Sequence, residues 1–485
     1  MADIVLVYPA NIEGHAAHYI QPPLGLAAIG AYAERHGFSV KIIDLEIQPA
    51  GFDLERALAA ERPRIVGVGG TTHTRFPAFK IAETAKRPAD PPWTVYGGPH
   101  ATFTAEDTLG HISAIDFIVR DEGEATFLEL ARALIRGDGD VSQIAGLSRR
   151  EGGRIIHNPP RPRMKNLDEI PHGRHLLEME RYTLVMDFLK VPAVSIVTSR
   201  GCPYKCTYCS ASAMFGAAYT MRSAGHVADE IEYCIERLGI RAIKIHDNAL
   251  TISKTHVLRL VEELRRRKID LPWECEIKAN TVDADLLRTM KAGGCYYVDI
   301  GAESGSEELL RTVHKGNTVR QVVDVLNWCH DLGIKTKLFF SIGHADETLD
   351  QAKETIRFID RYRGRITRIA KIVGIMVYPG TGVERYAFEH GLLGEDFSWS
   401  KPLAQLDPGL VFSNTAPLLF QPQFGREEMK RCRVLLYRSE IKHLLTSPRA
   451  VRDKWREIGG FKELTKVVDY VIKNIVGRFR PPRNQ

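Results

Sequence analysis

Short apolar runs alternate with amphipathic stretches along most of the chain. Residues 4–8, Ile-Val-Leu-Val-Tyr, have no polar face, as in a strand buried on both sides. Helical spacing follows over 24–36 and stops at Gly37. A second strand over 39–45, a helix over 53–61 opened by an Asp cap, and a third strand over 64–69 come next. A helix near 75–86 and strands over 93–96 and 116–119 complete the series. This alternation predicts an α/β fold, with a Rossmann-like doubly wound parallel sheet over residues 1–140.

The alternation resumes at residue 193. Strands are predicted over 193–198, 242–248, 273–280, 296–305, 336–343 and 370–378, and helices over 223–238, 254–268, 283–292, 319–332 and 350–361. About six such units predict a partial TIM-type (βα)6 barrel over 193–385. Residues 141–192 read as a connector, with a small hairpin over 149–157 turning at Gly152-Gly153 and a stiff Asn158-Pro159-Pro160-Arg161-Pro162. Beyond 385 the pattern is lost. Two helices rich in Lys and Arg, over 426–445 and 450–478, predict a helical C-terminal region that could cap the barrel mouth.

Ligands of doubly wound sheets sit outside the carboxyl ends of the strands. Here those ends carry Gly69-Gly70-Thr71-Thr72-His73-Thr74, Tyr96-Gly97-Gly98-Pro99-His100 and Arg120-Asp121-Glu122-Gly123-Glu124. Thr71, Thr72, Gly97, Gly98 and Glu122 are therefore candidate ligand contacts, against the plainer reading that Gly-Gly merely makes turns. His15 and His18, on the long loop after the first strand, and His73 and His100 read as polar loop residues. Barrel chemistry also sits at the C-terminal strand ends. That selects Asp247, Lys278, Glu303, Ser304 and Lys337, with satisfied barrel ion pairs as the competing reading.

The strongest chemical signal is Ser199-Arg200-Gly201-Cys202-Pro203-Tyr204-Lys205-Cys206-Thr207-Tyr208-Cys209-Ser210. Three thiolates in CxxxCxxC spacing suit one corner each of a 4Fe–4S cube, leaving a fourth iron open. A zinc knuckle would need a second Cys or His pair, and none follows. The other five of eight cysteines are scattered, which reads as a reduced compartment and no disulfide framework. Hydrophobic content of 44%, charged content of 26% and net charge +6 fit a soluble two- or three-domain protein, with no argument for nucleic acid. No signal peptide and no membrane span are visible, so a cytoplasmic location is expected.

CxxxCxxC with an aromatic before the third cysteine resembles the signature of the radical S-adenosylmethionine (SAM) superfamily. Thr198-Ser199-Arg200-Gly201-Cys202-Pro203 resembles its subgroup with an N-terminal cobalamin-binding domain. The resemblance implies that Cys202, Cys206 and Cys209 hold a 4Fe–4S cluster, that SAM chelates its open iron, and that the glycine-rich loops hold cobalamin. Gly301-Ala302-Glu303-Ser304-Gly305 looks like the family's SAM-contacting segment. The Asp-x-His-x-x-Gly motif that ligates cobalt in other cobalamin proteins is absent. The implied activity is C-methylation of an unactivated carbon, possible substrates including a peptide or protein side chain such as glutamine, with an external electron donor. Cyclisation, rearrangement or coupling without methyl transfer is the alternative reaction. A non-catalytic cobalamin or iron–sulfur binding protein is the alternative class.

Overall fold

A computed structural model describes residues 1–10, 20–186, 189–370, 372–403 and 416–446. The N-terminal sheet contains β1 (Ile4–Tyr8), β2 (Val40–Asp44), β3 (Ile65–Gly69), β4 (Trp93–Gly97), β5 (Phe117–Val119), β6 (Leu147–Glu151) and β7 (Arg154–His157). Its order is β2-β1-β3-β4-β5-β6-β7, parallel as far as β5. The apolar runs are explained by helices on both faces. Along β1, Val5 and Val7 enter one core, and Ile4 and Leu6 enter the other. The expected connector hairpin is instead part of this sheet, since β6 pairs antiparallel with β5 and β7 with β6.

The second sheet begins with β8 (Ala193–Ile196). A small antiparallel pair, β9 (Ser199–Gly201) and β10 (Tyr219–Met221), follows it. Then come β11 (Ala242–Ile245), β12 (Trp273–Ile277), β13 (Cys295–Glu303), β14 (Lys335–Ile342), β15 (Arg368–Ile369) and β16 (Val373–Gly374). The order β15-β14-β13-β12-β11-β8 is parallel throughout, with β16 added to the end of β14. Of the strand expected over 370–378 only β16 is present among the described residues, β15 ends just before that span, and Lys371 lies outside the described residues. Strand alternation separates two environments. Ile243, Ile245, Trp273, Cys275, Ile277, Val298, Ile300 and Leu338 pack into the helix-covered core. Lys244, Glu274, Glu276, Asp299 and Lys337 occupy the alternate positions, where Lys244 and Glu274 pair at 2.9 Å.

The two sheets meet through side chains and turns. Buried Arg75 donates from Nε to the Trp399 carbonyl at 2.7 Å. His73 Nε2 and the Tyr378 hydroxyl are 2.8 Å apart. The connector latches both units. Tyr182 donates to Asp44 at 2.8 Å, and fully buried Arg174 donates to Glu230 at 2.7 Å. The helix Arg426–Thr446 buries Met429 and Cys432 beside Ile342, Ala352 and Ile356. This places it against the helix Leu349–Tyr362. The helix expected over 450–478 lies outside the described residues.

Gly98 is required by its own backbone. Its φ is +104°, and an added Cβ would sit 2.5 Å from the Gly70 carbonyl oxygen. Gly98→Ala should therefore destabilise the chain by about 2 kcal/mol or more. Gly25→Ala is the control, because a Cβ there meets nothing within 4 Å. Urea unfolding should show a lowered midpoint for the first variant and an unchanged or raised one for the second.

Candidate active site

The cysteine loop grows out of β8 and is fixed before its first cysteine. Asp247, just past β11, accepts from the Thr198 and Ser199 backbone N–H groups at 2.7 and 3.1 Å. It also accepts from both hydroxyls at 2.6 Å. Burial lifts its carboxyl above the usual range, and those four bonds pull it back. All the acceptor capacity of Asp247 thus serves the loop stem. Asp247, expected among the SAM-pocket residues, is placed here against the stem of the cysteine loop.

Gly201 has φ +96° and a Cβ there would fall 2.0 Å from the Ala218 carbonyl oxygen, so only glycine lets β9 and β10 close at this point. Cys202 follows, then Cys206, and Cys209 caps the helix Ser210–Phe215. All three thiols are partly exposed. Burial pushes the Cys202 and Cys206 thiols up, while Lys278 and Lys315 oppose it. Among the described residues, no three His, Cys, Asp or Glu side chains are grouped as one metal ion would need. A 4Fe–4S cube asks for something different, one thiolate on each of three irons, and three soft donors on one loop beside two ammonium groups fit it.

Glu303 ends β13 at a break in register with β14, in a left-handed conformation at φ +61°. A non-glycine residue held there is strained by about 1 kcal/mol or more, so its surroundings must fix it. Lys315 Nζ lies 2.9 Å from one carboxylate oxygen, and the Ser341 hydroxyl donates to the other at 3.0 Å. Tyr208, the aromatic before Cys209, lies close enough to this carboxylate that burial and the Glu303 charge push its phenol well above the usual range. Although burial opposes ionisation, Lys315 holds the Glu303 carboxyl below its usual range. Behind this group, buried His344 sits 2.9 Å from the Ser341 hydroxyl and edge-on to Tyr208 at 5.1 Å. Lys278 stands over the Tyr204 ring at 4.1 Å and donates to the Lys315 carbonyl. Burial and the neighbouring Lys315 lower its ammonium to about 8.

The structure therefore brings Glu303 and Lys278 to the cysteines. It does not bring Ser304 or Lys337 there. The Ser304 hydroxyl pairs with Thr355 at 2.8 Å, a packing contact on the outer side. Lys337 lies four residues before Ser341 on β14, roughly 13 Å down the strand, over the Phe339 ring at 5.0 Å. Lys315, Ser341 and His344 were not anticipated. They sit on loops or at strand ends, and no local pattern marks them.

At the edge of the N-terminal sheet, Thr72 is buried and bonded to His100 at 3.2 Å, and the Thr71 hydroxyl is 3.3 Å from that of Thr74. Gly98 packs its backbone against Gly70. Gly97 keeps an open side, since a Cβ there meets nothing closer than the Val119 carbonyl oxygen at 3.6 Å. A side-chain-free rim of this kind fits a broad, flat ligand such as a corrin. His100 is fully buried and His73 is bonded to Tyr378, while His15 and His18 lie outside the described residues. Glu122 is turned towards the cysteine loop. It accepts from Arg200 at 3.1 Å and from the Met164 backbone N–H at 2.9 Å.

Asp247→Asn should show how far the loop depends on its stem. It replaces one acceptor oxygen by a donor and disrupts two bonds to a buried carboxylate, each worth about 1.5–3 kcal/mol. Thermal unfolding should fall, and iron retained after anaerobic reconstitution should drop below the wild-type content. Unchanged iron and melting would deny the anchor.

Comparison with known proteins agrees with this geometry. Residues 196–359 match the Radical SAM superfamily and residues 13–131 match the B12 binding domain. The chain is 34% identical over 389 residues to an uncharacterized methyltransferase, PH0819, of Pyrococcus horikoshii, covering 80% of this chain and 82% of that one. It is 28% identical to the anaerobic magnesium-protoporphyrin IX monomethyl ester cyclase of Rubrivivax gelatinosus, covering 69% of this chain and 61% of the cyclase. Its fold is similar to that of the radical SAM methyltransferase TsrM of Kitasatospora setae, solved with cobalamin and a [4Fe-4S] cluster bound. The TM-score is 0.68 at 21% identity, over 90% of this chain and 89% of that one. With its cysteine loop, its two α/β units and this kinship, the chain belongs to the cobalamin-dependent radical SAM methyltransferases, enzymes that work with a 4Fe–4S cluster, SAM and cobalamin.

Proposed function

We propose that the chain transfers a methyl group to an unactivated carbon of a small molecule or of a peptide side chain, a glutamine carbon being one such target. The observation that carries this reading is the meeting of the cysteine loop with the ligand edge of the N-terminal sheet at Arg200, Glu122 and Glu124. Cys202, Cys206 and Cys209 would hold the cluster, and the Gly97 and Thr71 loops the cobalamin. When bound, the cluster and SAM supply a carbon-centred radical and cobalamin supplies the methyl group.

The remaining work belongs to the chain's own residues. Glu303 presents a carboxylate for the ammonium or ribose of SAM, and Lys278 and Lys315 present ammonium groups for its carboxylate. Tyr208 and His344 close the back of this site and exclude water from it, which strengthens each charge contact. Electrons come from an external donor. The reduced thiols and an oxygen-sensitive cluster suit the cytoplasm; among the described residues no helix is long and apolar enough to cross a membrane. The cyclase kinship supports a second reading, ring closure without methyl transfer.

Two measurements test this. Anaerobic protein reconstituted with iron, sulfide and hydroxocobalamin should retain near-stoichiometric cobalamin and, with reductant, convert SAM to both 5′-deoxyadenosine and S-adenosylhomocysteine. Deoxyadenosine alone, without retained cobalamin, would favour the second reading. Cys206→Ala should abolish the cluster absorbance and SAM cleavage. Glu303→Gln should keep the cluster and weaken SAM binding by about 10-fold or more, the loss of one charge-assisted contact; unchanged affinity would leave Glu303 a structural partner of Lys315.

A further inference from the structure

Arg200 stands two residues before Cys202, inside the motif, yet its guanidinium leaves the barrel. It forks onto Glu124 in the helix Gly123–Ala131, with NH2 to Oε1 at 2.6 Å and NH1 to Oε2 at 3.3 Å. NH1 also reaches Glu122 Oε1 at 3.1 Å. The other oxygen of Glu122 accepts the Met164 backbone N–H, so the connector is tied to the same point. The Glu124 side chain is 4% exposed, Glu122 11% and Arg200 21%. Taking three charges this far out of water costs much of what their attraction returns, so the group is poor value as stability alone. What it supplies is geometry, since a planar fork on a carboxylate fixes both distance and angle.

The position of the fork gives that geometry a use. Immediately before Arg200, residues 198 and 199 are held by Asp247 of the barrel unit. Immediately after it, Gly201 is wedged against the Ala218 carbonyl. Between these fixed points the loop has little room to absorb a shift. On the far side, residues 121–124 follow β5 at the ligand edge of the sheet, where Asp121 is itself left-handed at φ +60°.

We infer that Arg200 is a positioning residue that holds the cysteine loop at a set separation from the ligand edge of the cobalamin-binding sheet, through the carboxylates of Glu124 and Glu122. The inference rests on the methyl-transfer reading for its consequence, because a methyl group passed between two bound cofactors and a substrate tolerates little misplacement. Loss of the fork leaves the cysteines and the sheet intact and separates radical formation from methyl transfer.

The test uses Glu124→Gln, which lies outside the cysteine loop, and Arg200→Lys, which keeps the charge and removes the fork. In the cofactor-free full chain, amide hydrogen exchange over residues 199–206 should quicken by about 10-fold in both variants, as a tether is lost. In the reconstituted enzyme, iron and cobalamin per chain should hold near wild type while 5′-deoxyadenosine formed per methylated product rises several-fold. Glu124→Asp, which restores a carboxylate, should bring that ratio back towards wild type. Unchanged exchange in both variants would overturn the inference. So would a loss of iron and deoxyadenosine in step, with the product ratio fixed, since that is the mark of a merely structural pair. If the wild-type enzyme forms no methylated product, the methyl-transfer reading falls, and the exchange measurement alone decides the tether.

Discussion

A carboxylate taken out of water must be met by donors, and Asp247 is met by four from two adjacent residues. Because those residues are Thr198 and Ser199, the satisfaction of one buried charge fixes the stem from which the cysteine loop departs. Everything beyond the stem inherits its place from this contact: the turn at Gly201, the three thiols, and the Arg200 fork. The cost of burying Asp247 is thus offset by order in a loop that has no helix or long strand to hold it.

The same economy recurs on the other side of the thiols. Glu303 is strained, largely shielded from water and held ionised by Lys315, and each of these needs the others. Its backbone turn at the end of β13 aims the carboxylate at Lys315, and the ion pair holds the turn. Burial works oppositely on the neighbouring amine, so that Lys278 has an ammonium weakened to about 8 while Lys315, with Glu303 as partner, stays strongly basic. Two lysines whose charges act on the same cysteines are thereby given different characters, Lys315 by its ion pair with Glu303 and Lys278 by burial beside Lys315.

Much of the architecture is written in local patterns. Runs such as Ile4-Val5-Leu6-Val7 can be buried on both faces only in a parallel sheet covered by helices, and β1 divides its side chains between two cores as that requires. The CxxxCxxC spacing needs no fold to be read, because its three cysteines lie within one loop. The hairpin at 147–157 shows the limit. Its turn was legible at Gly152-Gly153, but its membership of the first sheet depends on pairing with β5, almost thirty residues earlier.

The sequence by itself therefore determined the two α/β units and the candidacy of the three cysteines, Glu303 and Lys278, because periodicity and motif spacing act over a few residues. Only the tertiary structure decided which charged residues share a site. Asp247, Ser304 and Glu122 looked like ligand contacts from their places at strand ends, yet each is consumed by a partner dozens of residues distant. Lys315 and Ser341 carried no such signal and became central, and Arg200 was marked only as part of the cysteine motif, not by the carboxylates it meets. The physical reason is that a buried charge takes its role from whatever meets it, and that partner is chosen by the packing of strands and loops far apart along the chain.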